Sequence, residues 1–346
     1  MSMETSPQSL SEVALREKLN AEVFDPPEFA NLMRAIESQF ASVAVRKDEN
    51  TKWSASNRQQ AKAILVTGSS RAGKSFAVGQ ALAELEPIQT VEGEVLTPNP
   101  IFVECSSFFD PAGLGSQILH QIGYPATREF PANIAWERVR KHLANARPAP
   151  LVIDEYQYSF QPTGVGEKRM DTVRANIQGL FRSLLDVPSW PTPLILIGTQ
   201  SVLEMLEKPE VFHVREKIRD IVRIAPVTRG TANVNQLMEA LTAYCDLGQV
   251  TYQLESDVLL RLIHACSGAR GLILDFLKDV VVAAARSDNR LLVTKHFADI
   301  YRNHTGAHDH GNPFIEIQWG NTNPNLLLEA VDGVPRTPAP PAKRKK

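Results

Sequence analysis

The chain has 346 residues, 43% apolar and 22% charged, a balance that supports a sizeable globular core and a length that suits two domains. Basic and acidic residues number 37 and 39 for a net charge of −2, and five of the basic ones fall in 336–346, so a nucleic-acid surface on the folded part would be a local patch. No apolar run nears the roughly 20 residues of a membrane span, the polar start holds no signal-type apolar core, and Cys105, Cys245 and Cys266 lack disulfide or zinc spacing, which together exclude a membrane partner and imply a reducing, cytoplasmic setting.

Residues 1–22 are polar, with a helix expected near 10–19. Asp25-Pro26-Pro27-Glu28 then reads as a helix start, with Asp25 as cap, proline in the first turn and Glu28 at capping-box spacing. Phe29, Leu32, Met33, Ile36, Phe40 and Val43 follow as one apolar stripe. Residues 46–60 read as a polar loop. From 63 onward the pattern changes. Short apolar runs at 63–66, 101–105, 151–153, 194–197 and 221–224 alternate with helical patterns at 74–85, 112–122, 134–144, 171–185 and 202–206. Fully apolar strands alternating with helices predict an α/β fold whose five-stranded parallel sheet is covered on both faces.

After Gly230 the strand signals stop. Helices are expected over 233–244, 256–266, 271–285 and 294–301, forming a small helical lid. Regular signals fade beyond Asn303, apart from an alternating stretch at 314–319, and 335–346 is rich in proline and basic residues. The expected organisation is an N-terminal helical extension (1–60), a nucleotide-binding α/β domain (61–230), the lid (231–303) and a largely irregular tail (304–346).

The sharpest chemical signal is Gly68-Ser69-Ser70-Arg71-Ala72-Gly73-Lys74-Ser75, a full G-x-x-x-x-G-K-[ST] match between an apolar run and a helical pattern. The glycines let backbone N–H groups wrap phosphate oxygens, and the helix N-terminus that continues through Phe76 favours negative charge. Lys74 suits the β- and γ-phosphates of ATP, and Ser75 suits Mg2+. The second signal is Leu151-Val152-Ile153-Asp154-Glu155, an apolar strand ending in two acids. Asp154 suits the magnesium shell, and Glu155 suits orientation of an attacking water. Hydrolytic P-loop proteins need that second acid, whereas small-molecule kinases of the same fold generally do not. Thr199, or Gln200, ends the strand at 194–197, where ligands meet such sheets, and would contact the γ-phosphate or the water. Arg215 and Arg219 fall four apart on a helical segment before the strand at 221–224. Either arginine fits a charge-stabilising role towards a neighbouring subunit's nucleotide, and either fits a salt-bridged surface with Glu216 and Asp220. Arg270 opens a lid helix, from which it would fold back onto the nucleotide.

Together these motifs resemble an AAA+ ATPase over roughly 26–302, and the chain is similar to the TniB/TnsC family of transposition regulators. The helical lead-in from Asp25, the Gly198-Thr199 element and the compact lid with Gly268 carry that likeness. Tyr156-Gln157 follows the Walker B acids where the family often has histidine or asparagine, and Arg215 and Arg219 precede Glu216 and Asp220 where the family often has an Arg-Phe pair before the last strand. The resemblance implies ATP-dependent homo-oligomers, rings or filaments, on duplex DNA, linking a target-selection protein to a transposase. Lys168, Arg169 and Arg174 fit the DNA contact, because cations there bind phosphates without reading sequence. A helicase-loader or origin-type ATPase, and a nucleotide-gated scaffold or defence sensor, are the alternatives. His304, His308, Asp309 and His310 read as a solvated linker rather than a metal site.

Overall fold

The computed structural model describes residues 7–44, 61–90, 93–105, 110–124, 130–146, 149–160, 167–187, 191–206 and 217–332. The chain forms two compact units, Asp25–Ala225 and Met1–Phe24 with Pro226–Lys346. The segment 1–60 is therefore shared between them: helix α1 (Pro7–Ala21) belongs to the second unit and α2 (Phe29–Ala44) to the first. The second helix starts later than Asp25 suggests. Each proline pushes its predecessor towards extended backbone, so the first turn closes only when Phe29 N donates to Pro26 O at 2.9 Å. Glu28 turns its carboxylate to the N–H of Ala225 at 3.4 Å. The polar loop expected at 46–60 lies outside the described residues.

The first unit continues through β1 (Ala63–Gly68), α3 (Lys74–Ala83), a short antiparallel pair β2 (Ile88–Gln89) and β3 (Val95–Leu96), and β4 (Ile101–Glu104). Helices α4 (Pro111–Gln121) and α5 (Ala132–Asn145) lead to β5 (Leu151–Asp154), a 3₁₀ turn (Tyr156–Phe160) and α6 (Glu167–Leu185). Strand β6 (Leu194–Gly198), α7 (Gln200–Leu206) and β7 (Ile218–Ile224) complete it. The sheet order is β4-β5-β6-β1-β7 with every neighbouring pair parallel, the α/β class that the apolar runs imply. Ile64, Leu65, Val66, Leu151, Val152, Ile153 and Leu194 to Ile197 are fully buried, because helices cover both faces. Buried Gln39 of α2 donates to the carbonyls of Lys62 and Leu194, satisfying backbone groups where β1 and β6 begin.

One site residue changes element. Arg219 lies within β7, not on a helix before it, and Arg215 lies outside the described residues. Strand β7 is an edge strand, so its outer residues stay polar and interrupt the apolar run that marks a central strand. Its register skips one residue: Ala63 faces Ile218 and Ile64 faces Asp220, which leaves Arg219 as a bulge.

The second unit contains α1, α8 (Thr231–Gly248), α9 (Val258–Ala265), α10 (Arg270–Ala285), α11 (Thr294–Thr305) and α12 (Leu326–Asp332). Strands do not stop at Gly230: β8 (Thr251–Gln253) pairs in parallel with β9 (Leu291–Val293). Three-residue strands are too short to leave a periodicity. The core joins Leu19 of α1 to Leu241, Tyr244, Leu262, Ile273, Leu277, Phe297 and Tyr301. Arg16 of α1 also reaches Asp279 at 3.0 Å.

The stretch after α11 holds little regular structure, yet it is docked through its side chains. The alternating stretch at 314–319 forms turns rather than a strand. Phe314 stacks on Phe276 with ring centroids 5.7 Å apart, and fully buried Asn312 donates to Ala298 O at 2.8 Å. Arg261 donates to Pro313 O and Glu316 O, Ser267 to Pro324 O. The histidines expected in a solvated linker point to separate partners: His304 to Asp279 and His310 to Glu316, each at 3.5 Å. The basic end, 336–346, lies outside the described residues.

Candidate active site

Strand order decides where the chemistry gathers. Strands β5, β6 and β1 are consecutive neighbours and parallel, so Asp154-Glu155, Thr199 and the Gly68–Ser75 loop all emerge at one edge of the sheet. The loop carries left-handed backbone at Arg71 (φ 58°) and Gly73 (φ 86°), separated by Ala72. Such alternation turns successive N–H groups towards one concavity, the geometry that receives an anion. Glycine suits the second of these positions, immediately before α3, because it takes positive φ without a Cβ penalty. Lys74 opens α3 and is only 5% exposed, with Nζ donating to Ser69 O at 2.8 Å. Its ammonium is thus held over the loop. Ser75 and Phe76 follow and are exposed, Phe76 by 56%, while Ser69 and Ser70 form the loop's leading edge.

Across the sheet, Asp154 ends β5 and accepts the Glu155 N–H through Oδ1 at 2.7 Å. Glu155 itself adopts φ 52°, an uncommon conformation for a residue with a side chain, and Tyr158 N closes the following turn onto Glu155 O at 3.0 Å. Its Oε2 accepts a hydrogen bond from Gln157 Nε2, and Gln157 Oε1 accepts the backbone N–H of Thr199 at 3.1 Å. Thr199 Oγ1 lies 2.7 Å from Ser201 Oγ. A hydrogen-bonded chain therefore runs from the Walker B glutamate to the strand end that sequence reasoning assigns to the γ-phosphate. Gln157 is the residue that reasoning missed. Its place two residues after the acids was visible, but nothing local showed what it bridges. Cys105, at the end of β4, is fully buried beside the two acids; burial and their charge push its thiol well up, leaving it inert.

The donor set fits magnesium and a triphosphate. Ser75 and Asp154 supply hard oxygen ligands, and the left-handed loop with its buried lysine supplies the phosphate cradle. The remaining assigned residues are placed less centrally. Arg219 is exposed and pairs with Asp220 at 3.6 Å. Arg270 begins α10, is 6% exposed and donates to Gln236 Oε1 at 3.1 Å within its own unit. Lys168, Arg169 and Arg174 all lie on α6, and their side chains are outside the described residues. Among the described residues, no helix is long and apolar enough to cross a membrane, and no group of three or more His, Cys, Asp or Glu is arranged to hold a metal.

Comparison with known proteins agrees with this geometry. Residues 57–206 match the family described as AAA domain. The ORC2 protein of Aeropyrum pernix, solved as ADPNP-ADP complexes, aligns over 84% of this chain and 72% of its own, with TM-score 0.57 and 15% identity. Cdc6p of Pyrobaculum aerophilum aligns over 80% of this chain and 67% of its own (TM-score 0.54, 12% identity). A Drosophila ORC structure bound to DNA gives 89% and 69% (TM-score 0.53, 17% identity). No curated protein matches the chain in sequence. Residues 57–206 are thus similar to an AAA-type P-loop domain, and the chain shares its fold with the ORC and Cdc6 structures.

Proposed function

We propose that this AAA-type module hydrolyses ATP as an assembly switch on duplex DNA and, in doing so, links a target-selection protein to a transposase. The hydrogen-bonded chain from Glu155 through Gln157 to Thr199 carries the switch reading, since it joins a water-orienting carboxylate to the element that would sense the γ-phosphate. Lys74 exchanges the Ser69 carbonyl for phosphate oxygens, and the loop N–H groups hold the remaining charge. Ser75 and Asp154 would hold magnesium, which when bound neutralises charge on the phosphate oxygens. Glu155 Oε2 is engaged by Gln157, so Oε1 is the atom left to orient the attacking water and take its proton.

Lys168, Arg169 and Arg174, on one helix, supply the phosphate contacts of the DNA reading. Three such contacts per subunit give a salt slope of about −2.7, and linked subunits multiply both affinity and slope. The test measures duplex binding against salt with a non-hydrolysable ATP analogue, with ADP and without nucleotide, beside ATP turnover of Lys74→Ala and Glu155→Gln. The reading expects tight, salt-steep binding only with the analogue, loss of nucleotide binding in Lys74→Ala, and a turnover loss of about 10²- to 10⁴-fold with retained binding in Glu155→Gln. Equal DNA binding in all three nucleotide states refutes the assembly reading. An origin-type or helicase-loader role is the second reading, favoured by the fold shared with ORC and Cdc6 over 80–89% of the chain. Stimulation of a transposase by the ATP-bound form selects the first reading, and capture of a helicase selects the second.

A further inference from the structure

We propose that Gln157 is a positioning residue whose side-chain amide fixes the Glu155 carboxylate and couples it to the Thr199 element. The inference rests on the hydrolytic reading above and adds how the base is set. The direction of the amide is decided by its partners. Backbone N–H of Thr199 can only donate, so Oε1 must face it, at 3.1 Å. Nε2 is then committed to Glu155 Oε2, and an ionised carboxylate can only accept. A flipped amide would set donor against donor at one end and oxygen against carboxylate at the other.

The surroundings hold this bridge in place. Gln157 sits on the 3₁₀ turn whose first residue, Tyr156, is fully buried, and the turn closes onto Glu155 O. Glu155 keeps a left-handed backbone there, which persists only where neighbouring structure over-determines it. On the other side, Gly198 leaves room for the amide: a Cβ at that position would lie 3.0 Å from Gln157 Oε1. Turn, strand end and amide therefore form one unit. A shift of the Thr199 element towards or away from a bound phosphate moves the group that orients Glu155, which makes the bridge a coupling device as well as a prop.

The test uses full-length protein in three variants, Gln157→Ala, Gln157→Glu and Glu155→Gln, with kcat for ATP turnover and binding of a fluorescent ATP analogue measured side by side. Gln157→Ala should lower kcat about 10- to 100-fold, the scale of a misplaced catalytic group, with analogue affinity within about 2-fold of wild type. Gln157→Glu still accepts from Thr199 N but confronts Glu155 with a second carboxylate. Repulsion between the two carboxylates turns Glu155 out of its working position, so kcat should fall at least as far as in Gln157→Ala while analogue affinity stays within about 2-fold of wild type. A side chain that merely packed the turn would tolerate this change, or would lose stability and analogue affinity together with kcat. Gln157→Glu is nearly isosteric, so it decides the matter even where Gln157→Ala fails to fold. Wild-type kcat in Gln157→Ala or in Gln157→Glu, with Glu155→Gln inactive, overturns the positioning role alone. Wild-type turnover in Glu155→Gln overturns the hydrolytic reading and this inference with it.

Discussion

Gly198→Ala adds one methyl group at the point where β6 meets the 3₁₀ turn that carries Gln157. The new Cβ would lie 2.5 Å from Val202 Cγ2 and 3.0 Å from Gln157 Oε1. Val202 is fully buried on α7 and its side chain is short and branched, so it has no flexible end to swing aside. Overpacking of this kind costs about 1–3 kcal/mol. Displacing Gln157 from the Thr199 N–H adds about 1 kcal/mol for the lost hydrogen bond. The expected total is a loss of about 2–4 kcal/mol, together with reduced ATP turnover because the bridge to Glu155 is pushed out of place. Urea unfolding of the variant, followed by circular dichroism, measures the first effect. The double variant Gly198→Ala with Val202→Ala supplies the decisive comparison. Val202→Ala alone leaves a void, and the methyl at 198 is placed to enter it, so the double should be more stable than the sum of the single losses by about 1 kcal/mol or more. A Gly198→Ala cost below about 0.5 kcal/mol, or strictly additive losses, would refute the steric argument.

Three further outcomes follow. The three cysteines are buried and their thiols are pushed up, Cys245 to about 12 and Cys105 and Cys266 further, chiefly by burial, so a thiol reagent at pH 8 should label none in the native protein and all three in urea; fast native labelling of any one contradicts its burial. His264 titrates below its ordinary value because burial disfavours its charge and Arg229 lies 3.0 Å from Nδ1; the unfolded chain therefore binds the proton first, and stability present above pH of about 6.5 should be lost as pH falls through the folded value. Replacing it in His264→Gln should flatten that dependence in pH-resolved urea unfolding, and an unchanged slope would count against the assignment. Should Arg219 act across a subunit boundary, Arg219→Ala should bind ATP normally yet lose turnover, and mixing it with Lys74→Ala protein should restore part of it; no recovery in any mixture argues against a shared site.

How much was legible without coordinates depended on whether an interaction closes within a short stretch of chain. The sheet was readable because Leu151-Val152-Ile153 and Leu194 to Ile197 are buried on both faces and must be apolar throughout, which marks central strands of a covered parallel sheet. The loop from Gly68 to Ser75 was readable because its glycines, lysine and hydroxyl act through their own backbone and the helix they open. Edge strand β7 was read too short for the converse reason: Arg219 and Asp220 meet solvent, and no apolar pattern records them as strand.

The amino-acid sequence by itself determined the phosphate loop, the paired acids and the chain order of the five main-sheet strands and the helices between them, since each is written in local residue type and spacing. Tertiary structure alone decided which of these meet. It placed β6 between β5 and β1, so that Thr199 stands between Glu155 and the phosphate loop, and it brought Gln157 to a backbone N–H 42 residues away. It assigned α1 to the helical unit through Leu19 and Arg16, and it docked the apparently formless residues 312–325 through Asn312, Phe314 and Thr322. Those contacts depend on desolvating groups against partners distant in sequence, and the favourable free energy of such burial belongs to the pair, so neither partner's own neighbourhood encodes it.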